Sequence, residues 1–371
     1  MKSNYRYIVK AFMAMAVIAG TTSCDDFLDR EPMSSISPET YYSTAAQLEA
    51  NLNDEYPNVL PSFGQWTYGI FGEDKGTDNQ IEVNANDRYT QDRWKVPHSE
   101  SDNWKFERIY RINFFLSEAL PKFGEDMSGS QNTISGSVAT IKHYIGEMYF
   151  LRAYEYFKKL QLFGDFPIIN QPLADEMEAL REASKRFPRN EVARFIISDL
   201  DKAYAYMSDV DMATTRINKD VAMLVKSRVA LFEATWLQNF KGTAFVPGGE
   251  GWPGASLHNN YQYPSGNIDN EVKYFLEQAV EASKLVADKY KGSLTENTGV
   301  LQQSADDPSN PYFDMFAQED LSDVKEVLLW RQYARGLSTH NINAAAGRGN
   351  YRIGLTRSEE RRVGKECRSR W

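Results

Sequence analysis

Residues 141–163 read IKHYIGEMYFLRAYEYFKKLQLF, followed by Gly164-Asp165-Phe166-Pro167-Ile168-Ile169. Apolar side chains recur here at three- and four-residue steps: Ile141, Ile145, Met148, Tyr149, Ala153, Tyr156, Leu160 and Phe163. That period puts them on one face of a helix and leaves the charges on the other. The pattern predicts a helix from about Ser135 to Phe163, ended by Gly164 as a C-terminal cap. Asp165 to Ile169 then reads as a short extended piece.

The same period recurs on both sides of this stretch. Upstream it predicts helices over about 44–58, with Leu48, Leu52 and Tyr56 inward, and 102–122, with Trp104, Ile109, Ile112, Leu116 and Leu120 inward. Downstream it predicts three more. Residues 188–207 carry the stripe Val192, Ile196, Leu200, Ala203 and Met207. Residues 218–239 carry Ala222, Val225, Val229, Phe232 and Trp236. Residues 270–290 carry Val272, Leu276, Ala279, Val286 and Tyr290. Between them lie irregular segments at 59–100 and 240–269, rich in Gly, Pro, Asn and aromatic residues. Val324–Tyr333 (VKEVLLWRQY) reads as a strand, because β-branched and aromatic residues cluster there. Successive helices with small residues at packed positions (Ala153, Ala222, Ala230, Ala279) predict stacked antiparallel pairs. The expected fold is mainly α, a tetratricopeptide-like helix-pair bundle with long irregular loops and few short strands. Ile145-Gly146-x-x-Tyr149 echoes half of the tetratricopeptide motif, and the rest of that motif is missing.

Both ends stand apart from this pattern. Residues 1–24 have a basic start (Lys2, Arg6, Lys10) and a short apolar run, Ala11 to Gly20, then Thr21-Thr22-Ser23-Cys24. The apolar run is half the length needed to span a bilayer. Small residues before a cysteine, straight after such a run, read as a lipoprotein signal, with Cys24 becoming the lipidated N-terminus. Asp25 and Asp26 then resemble a surface-export signal. At the other end, residues 357–371 (RSEERRVGKECRSRW) are basic and lack apolar periodicity. They resemble the in-frame translation of a common DNA-sequencing adapter. The expected organisation is therefore a signal at 1–24, a helical domain at 25–356 that is incomplete at its C-terminus, and an adapter-encoded artefact at 357–371.

The chain of 371 residues carries a net charge of −9, which argues against a nucleic-acid phosphate binder. Without the two ends the balance is 33 basic and 48 acidic residues. Two cysteines exclude a disulfide framework and a cysteine-based zinc site. His98, His143, His258 and His340 are too scattered for a histidine metal centre, and His143 reads as a solvated or core-edge residue. No phosphate loop, H-E-x-x-H or G-x-S-x-G is present. Gly249-Glu250-Gly251-Trp252-Pro253-Gly254 matches G-x-G-x-x-G, but its prolines and the lack of a following helix make it a surface loop. Asp74-Lys75-Gly76-Thr77-Asp78-Asn79 offers oxygen ligands without calcium-loop spacing. No carboxylate pair stands out for glycoside hydrolysis.

What remains is a set of aromatic residues outside the helical stripes: Trp66, Tyr68, Tyr89, Trp94, Trp252, Tyr261, Tyr263, Tyr312 and Trp330. Sugar rings stack a flat C–H face on such rings and leave their hydroxyls to polar neighbours. The alternative for any one ring is that it caps the core beneath a loop. The expected ligand contacts are Trp66, Asp74, Asp78, Asn79, Tyr89, Trp94, Tyr312 and Trp330, with no catalytic residue, metal or cofactor.

The order of features resembles the SusD/RagB family of outer-membrane nutrient-binding lipoproteins. The resemblance starts at Cys24-Asp25-Asp26-Phe27-Leu28-Asp29 and Ser37–Tyr42 (SPETYY). It continues at Trp104–Leu116 (WKFERIYRINFFL), Pro188–Ala203 (PRNEVARFIISDLDKA) and Arg216–Trp236. It is sharpest at Gly146–Ile169, with Leu151-Arg152-Ala153 and Gly164-Asp165-x-Pro167. It implies tetratricopeptide-like helix pairs carrying a loop-built binding face. It also implies a glycan or peptide ligand, a TonB-dependent SusC/RagA-type barrel as partner, an outer-membrane lipid anchor, and no catalysis. Family members usually run well past this length, so much of the C-terminal part of the ligand face is expected to be missing. Arg152 and Asp165 are expected to hold the fold by pairing or capping. The rival readings are a helical scaffold for a protein or peptide, and a carbohydrate-active enzyme.

Overall fold

The computed structural model describes residues 41–61, 80–82, 103–124, 126–207, 212–300, 304, 306–333 and 353–355. Helix α1 (Ala45–Val59) begins with a reciprocal cap: the Thr44 hydroxyl accepts from the Gln47 N–H, and the Gln47 side chain accepts from the Thr44 N–H. Helix α2 spans Glu107–Phe123, and α3 spans Val138–Phe163 behind a Ser137 cap. At the end of α3, Gly164 adopts φ +67°, a backbone that side chains rarely take. A short α4 (Met177–Ala183) follows, then α5 (Arg189–Tyr206) and α6 (Lys219–Asn239), the latter capped by Asn218. Helix α7 (Ile268–Tyr290) is capped by Asn267, and α8 (Pro311–Met315) is a single turn. Strands β1 (Gln80–Glu82) and β2 (Ile353–Leu355) pair antiparallel, with Ile81 opposite Gly354.

Helix α3 is buried almost all round because α1 and α2 cover one side and α5 the other. Helices α5, α6 and α7 stack onward in chain order, each antiparallel to the last. Buried ion pairs fix the registers. Arg152 of α3 binds Asp199 of α5 through two nitrogens, at 2.6 and 2.8 Å. Arg189 of α5 binds Glu233 of α6 at 2.9 Å, and Arg194 of α5 reaches Glu271 of α7 at 2.7 and 2.8 Å. Gly146 brings α3 and α5 together: a Cβ there would sit 2.8 Å from the Met207 nitrogen. Phe115, Ile145, Tyr156, Phe166, Ile196 and Phe275 are among the fully buried side chains of the shared core.

The segment after α3 is stitched to the bundle by polar groups. Asp165 accepts from the Arg189 N–H at 2.9 Å and from the Trp252 indole at 2.7 Å. Burial raises the Asp165 carboxyl above its usual pKa, against the lowering effect of these two bonds. The Tyr156 hydroxyl donates to the Ile169 carbonyl at 3.0 Å and accepts from the Ile169 N–H at 2.8 Å. Arg152 and Asp165 thus occupy pairing and capping positions.

Several expectations require correction. Val324–Tyr333 is not a strand. It forms turns in which the Val324 and Val327 N–H groups reach back three residues, and it finds its partners in the 214–218 loop instead of a sheet. Trp104 precedes α2, with its ring edge-on to Phe163 and Phe166. Leu276 points outward at 37% exposure, because Phe275 and Ala279 take the inner face. His143, expected to be solvated or at the core edge, is fully buried, with Nε2 3.0 Å from Glu147 and 3.1 Å from the Ile217 carbonyl. Among the described residues no helix is long and apolar enough to cross a membrane.

Candidate functional site

A cavity of about 520 Å³ opens where the C-terminal end of α1, the middle of α3 and the first turns of α6 meet the 329–332 segment. Its walls are apolar and aromatic: Tyr56 and Pro57 from α1, Phe150 and Tyr154 from α3, and Val221 and Val225 from α6. Trp330 closes one side, and Thr215, Arg331 and Gln332 supply polar groups around it.

Each ring is held by a separate device. Phe150 and Tyr154 are one helical turn apart on α3 and stack at 6.1 Å with 15° between planes. The Tyr56 hydroxyl donates to Glu147 at 2.6 Å and accepts from the Ile217 N–H at 2.9 Å. Burial first, and Glu147 next, push the Tyr56 phenol well above its usual pKa, so it remains a neutral donor. Glu147 also takes two bonds from Arg216, at 3.0 and 2.8 Å. The Arg216 guanidinium lies 4.9 Å from the centre of the Tyr144 ring. This cluster anchors the 212–218 loop, and the loop in turn holds Trp330. The Trp330 indole donates to the Thr214 hydroxyl at 2.8 Å, and its backbone N–H donates to the Thr214 carbonyl at 3.2 Å. Asn218 adds a bond to the Leu328 carbonyl at 2.8 Å.

The arrangement offers flat apolar faces with hydrogen-bonding groups at the edge. Among the described residues the lining contains neither a carboxylate nor a histidine. Among the described residues no group of acidic, His or Cys side chains is placed to hold a metal ion.

Of the residues expected from sequence, Trp330 lies in this cavity. Tyr312 sits apart on α8, edge-on to Phe316 at 5.2 Å. Cys24, Trp66, Asp74, Asp78, Asn79, Tyr89 and Trp94 fall outside the described residues. Trp252, Tyr261 and Tyr263 serve the core beneath the 240–269 loop: Trp252 is buried on Asp165, and Tyr263 donates to the Pro247 carbonyl. Tyr56, Phe150 and Tyr154 lie on helices and so stand outside the set of loop aromatics. A signal for Tyr154 exists, because it is a large aromatic lying off the apolar stripe of α3.

A family model described as "Starch-binding associating with outer membrane" matches residues 26–231, more than half of the chain. The chain belongs to the SusD-like family. Similar SusD-like proteins include P2 of Formosa agariphila, 25% identical over 253 residues, a match covering 65% of this chain and 46% of the relative. P25 of the same organism is 25% identical over 233 residues, covering 58% of this chain and 41% of the relative. The matches thus span less than half the length of these curated relatives. Among solved structures, a laminarin-binding SusD-like protein superposes with a TM-score of 0.42 at 16% identity, covering 69% of this chain and 45% of that one. A SusD superfamily protein from Parabacteroides distasonis superposes with a TM-score of 0.43 at 20% identity, covering 66% of this chain and 45% of that one.

Proposed function

We propose that this SusD-like protein binds glycans in the cavity framed by Tyr154 and Trp330 and acts by capture, not catalysis. The observation that carries the reading is the cavity lining: aromatic faces with a polar edge and, among the described residues, no carboxylate, in a chain matched by a starch-binding family model. Stacking on such rings favours the C–H faces of pyranoses, and edge groups select hydroxyl patterns. The remaining parts of the proposal are a signal at residues 1–24, a lipid on Cys24, an outer-membrane surface location, and delivery of the glycan to a SusC-type TonB-dependent barrel. The proposed organisation places the family domain within residues 25–356 and assigns the 357–371 tail to adapter sequence.

The test is calorimetric titration of the purified protein against a panel of neutral and acidic polysaccharides. Binding of at least one, weakened about tenfold or more by Trp330→Ala with the melting temperature unchanged, is the expected outcome. Binding that survives both Trp330→Ala and Tyr154→Ala moves the site elsewhere. Release of reducing ends during the titration rules out a capture-only role.

A further inference from the structure

A second cavity, of about 490 Å³, opens farther along the same face. It lies where Leu162 and Phe163 of α3 meet Trp236 of α6, beside Phe245 and Trp252. Helices α3 and α6 run parallel here. Tyr154 shares the first cavity with Val225, Phe157 packs on Phe232 at 5.7 Å between ring centres, and Leu162 shares the second cavity with Trp236. At 1.5 Å rise per residue, Val225 to Trp236 is a step of about 16 Å, the reach of several linked pyranose units.

Arginines border both cavities, and among the described residues the only carboxylate in either lining is Asp165, at the second. Arg331 borders the first cavity and Arg186 the second. Arg228 stands between them on α6, exposed, with its charge acting on the Tyr154 phenol. None of the three forms an ion pair with a carboxylate among the described residues. The neighbouring acids are already engaged: Glu155 by Lys158 at 2.6 Å, Glu233 by Arg189 at 2.9 Å, and Asp165 by the Arg189 N–H and the Trp252 indole. A cationic strip in a chain of net charge −9 is a local arrangement and not a product of composition.

We propose that the two cavities are the ends of one groove that takes an extended anionic glycan, its rings stacked on Tyr154, Trp236 and Trp330 and its carboxylates or sulfate esters met by Arg331, Arg228 and Arg186. This rests on the glycan-binding reading above and adds the charge and length of the ligand. Partly buried aromatic rings at both ends, with the Arg189 guanidinium 4.1 Å from the Trp236 ring centre, favour a carbohydrate over an acidic peptide, because a sugar chain offers a flat C–H face at each unit.

The experiment titrates the full chain with polygalacturonate, dextran sulfate, neutral dextran, laminarin and polyglutamate. At least one acidic polysaccharide is expected to bind about tenfold or more tightly than either neutral one, with an affinity that falls as salt rises. Which of the two binds separates uronate from sulfate recognition. The Arg186→Gln/Arg228→Gln variant loses about tenfold for the acidic polymer with an unchanged melt, and Arg228→Lys in the other background recovers part of it. Equal binding of neutral and acidic glycans, unaffected by Arg228→Gln but lost in Trp330→Ala, overturns the anionic groove and leaves the glycan reading standing. Polyglutamate binding as tightly as the acidic glycan overturns it in favour of charge alone. Failure of every glycan to bind overturns both readings.

Discussion

Replacing Asp199 by alanine isolates the device that registers α3 against α5. Asp199 is fully buried and receives two charge-assisted bonds from Arg152, itself 3% exposed. Without the carboxylate, the guanidinium keeps the Asn113 side chain at 2.9 Å and the Asn170 carbonyl at 3.1 Å, both neutral acceptors. The Tyr149 and Phe195 rings, 5.2 and 5.3 Å away, add attraction but no counter-charge. An uncompensated buried charge of this kind costs about 3–5 kcal/mol. The loss reaches the segment after α3 as well, because Asn113 also holds the Ile169 carbonyl at 2.9 Å. The assay is urea unfolding followed by circular dichroism. Asp199→Ala is expected to lower the unfolding free energy by about 3–5 kcal/mol. Arg152→Met combined with Asp199→Leu is expected to lose less than the single variants suggest, since the double change removes both charges. A single-variant loss below about 1 kcal/mol, or strict additivity in the double variant, would refute the reasoning.

Three further outcomes follow from the same geometry. Gly146→Ala places a methyl group 2.8 Å from the Met207 nitrogen and 3.0 Å from the Ala203 carbonyl, so it should cost about 1–3 kcal/mol in the same unfolding assay; no loss there means α3 and α5 can part without cost. Glu271 is buried, which raises its pKa, but bonds from Arg194, Asn190 and Ser265 outweigh burial and hold it below its usual 4.5. Its contribution is therefore present in full above that value and lost as pH falls through the lowered one, so the stability gap between wild type and Glu271→Gln should be wide at pH 7 and shrink in acid. A gap that widens on acidification contradicts this sign. Asn218→Asp keeps the acceptor that caps the Val221 N–H at 3.1 Å but removes the donor to the Leu328 carbonyl. The variant should melt near wild type and bind glycan more weakly; a large drop in melting temperature with unchanged affinity would dissociate Asn218 from the Trp330 segment.

The readable part of the molecule was local. The three- and four-residue period at Ile141–Phe163 and Val192–Met207 reports a helix and its buried face directly, because side-chain direction follows from 3.6 residues per turn. Gly164 marked the end of α3 for a similarly local reason, since its left-handed backbone excludes most side chains. Family membership was legible because the Gly146–Ile169 residues meet packing needs specific to one arrangement: Gly146 for helix approach, Arg152 for Asp199, Asp165 for the start of α5.

Burial and the binding face depended on partners that sequence spacing does not reveal. Val324–Tyr333 has strand-like composition, but a strand needs a neighbour, and its partners are the Thr214 and Asn218 groups of a distant loop. Trp252 and Trp330 look alike in sequence, yet one is buried on Asp165 and the other borders a cavity. Sequence by itself determined the six long helices, most of each inner stripe and the family they belong to. Only the tertiary structure brought Tyr56, Tyr154, Val225 and Trp330 around one cavity and ran α3 parallel to α6, because those contacts join residues far apart in the chain through packing and buried charge.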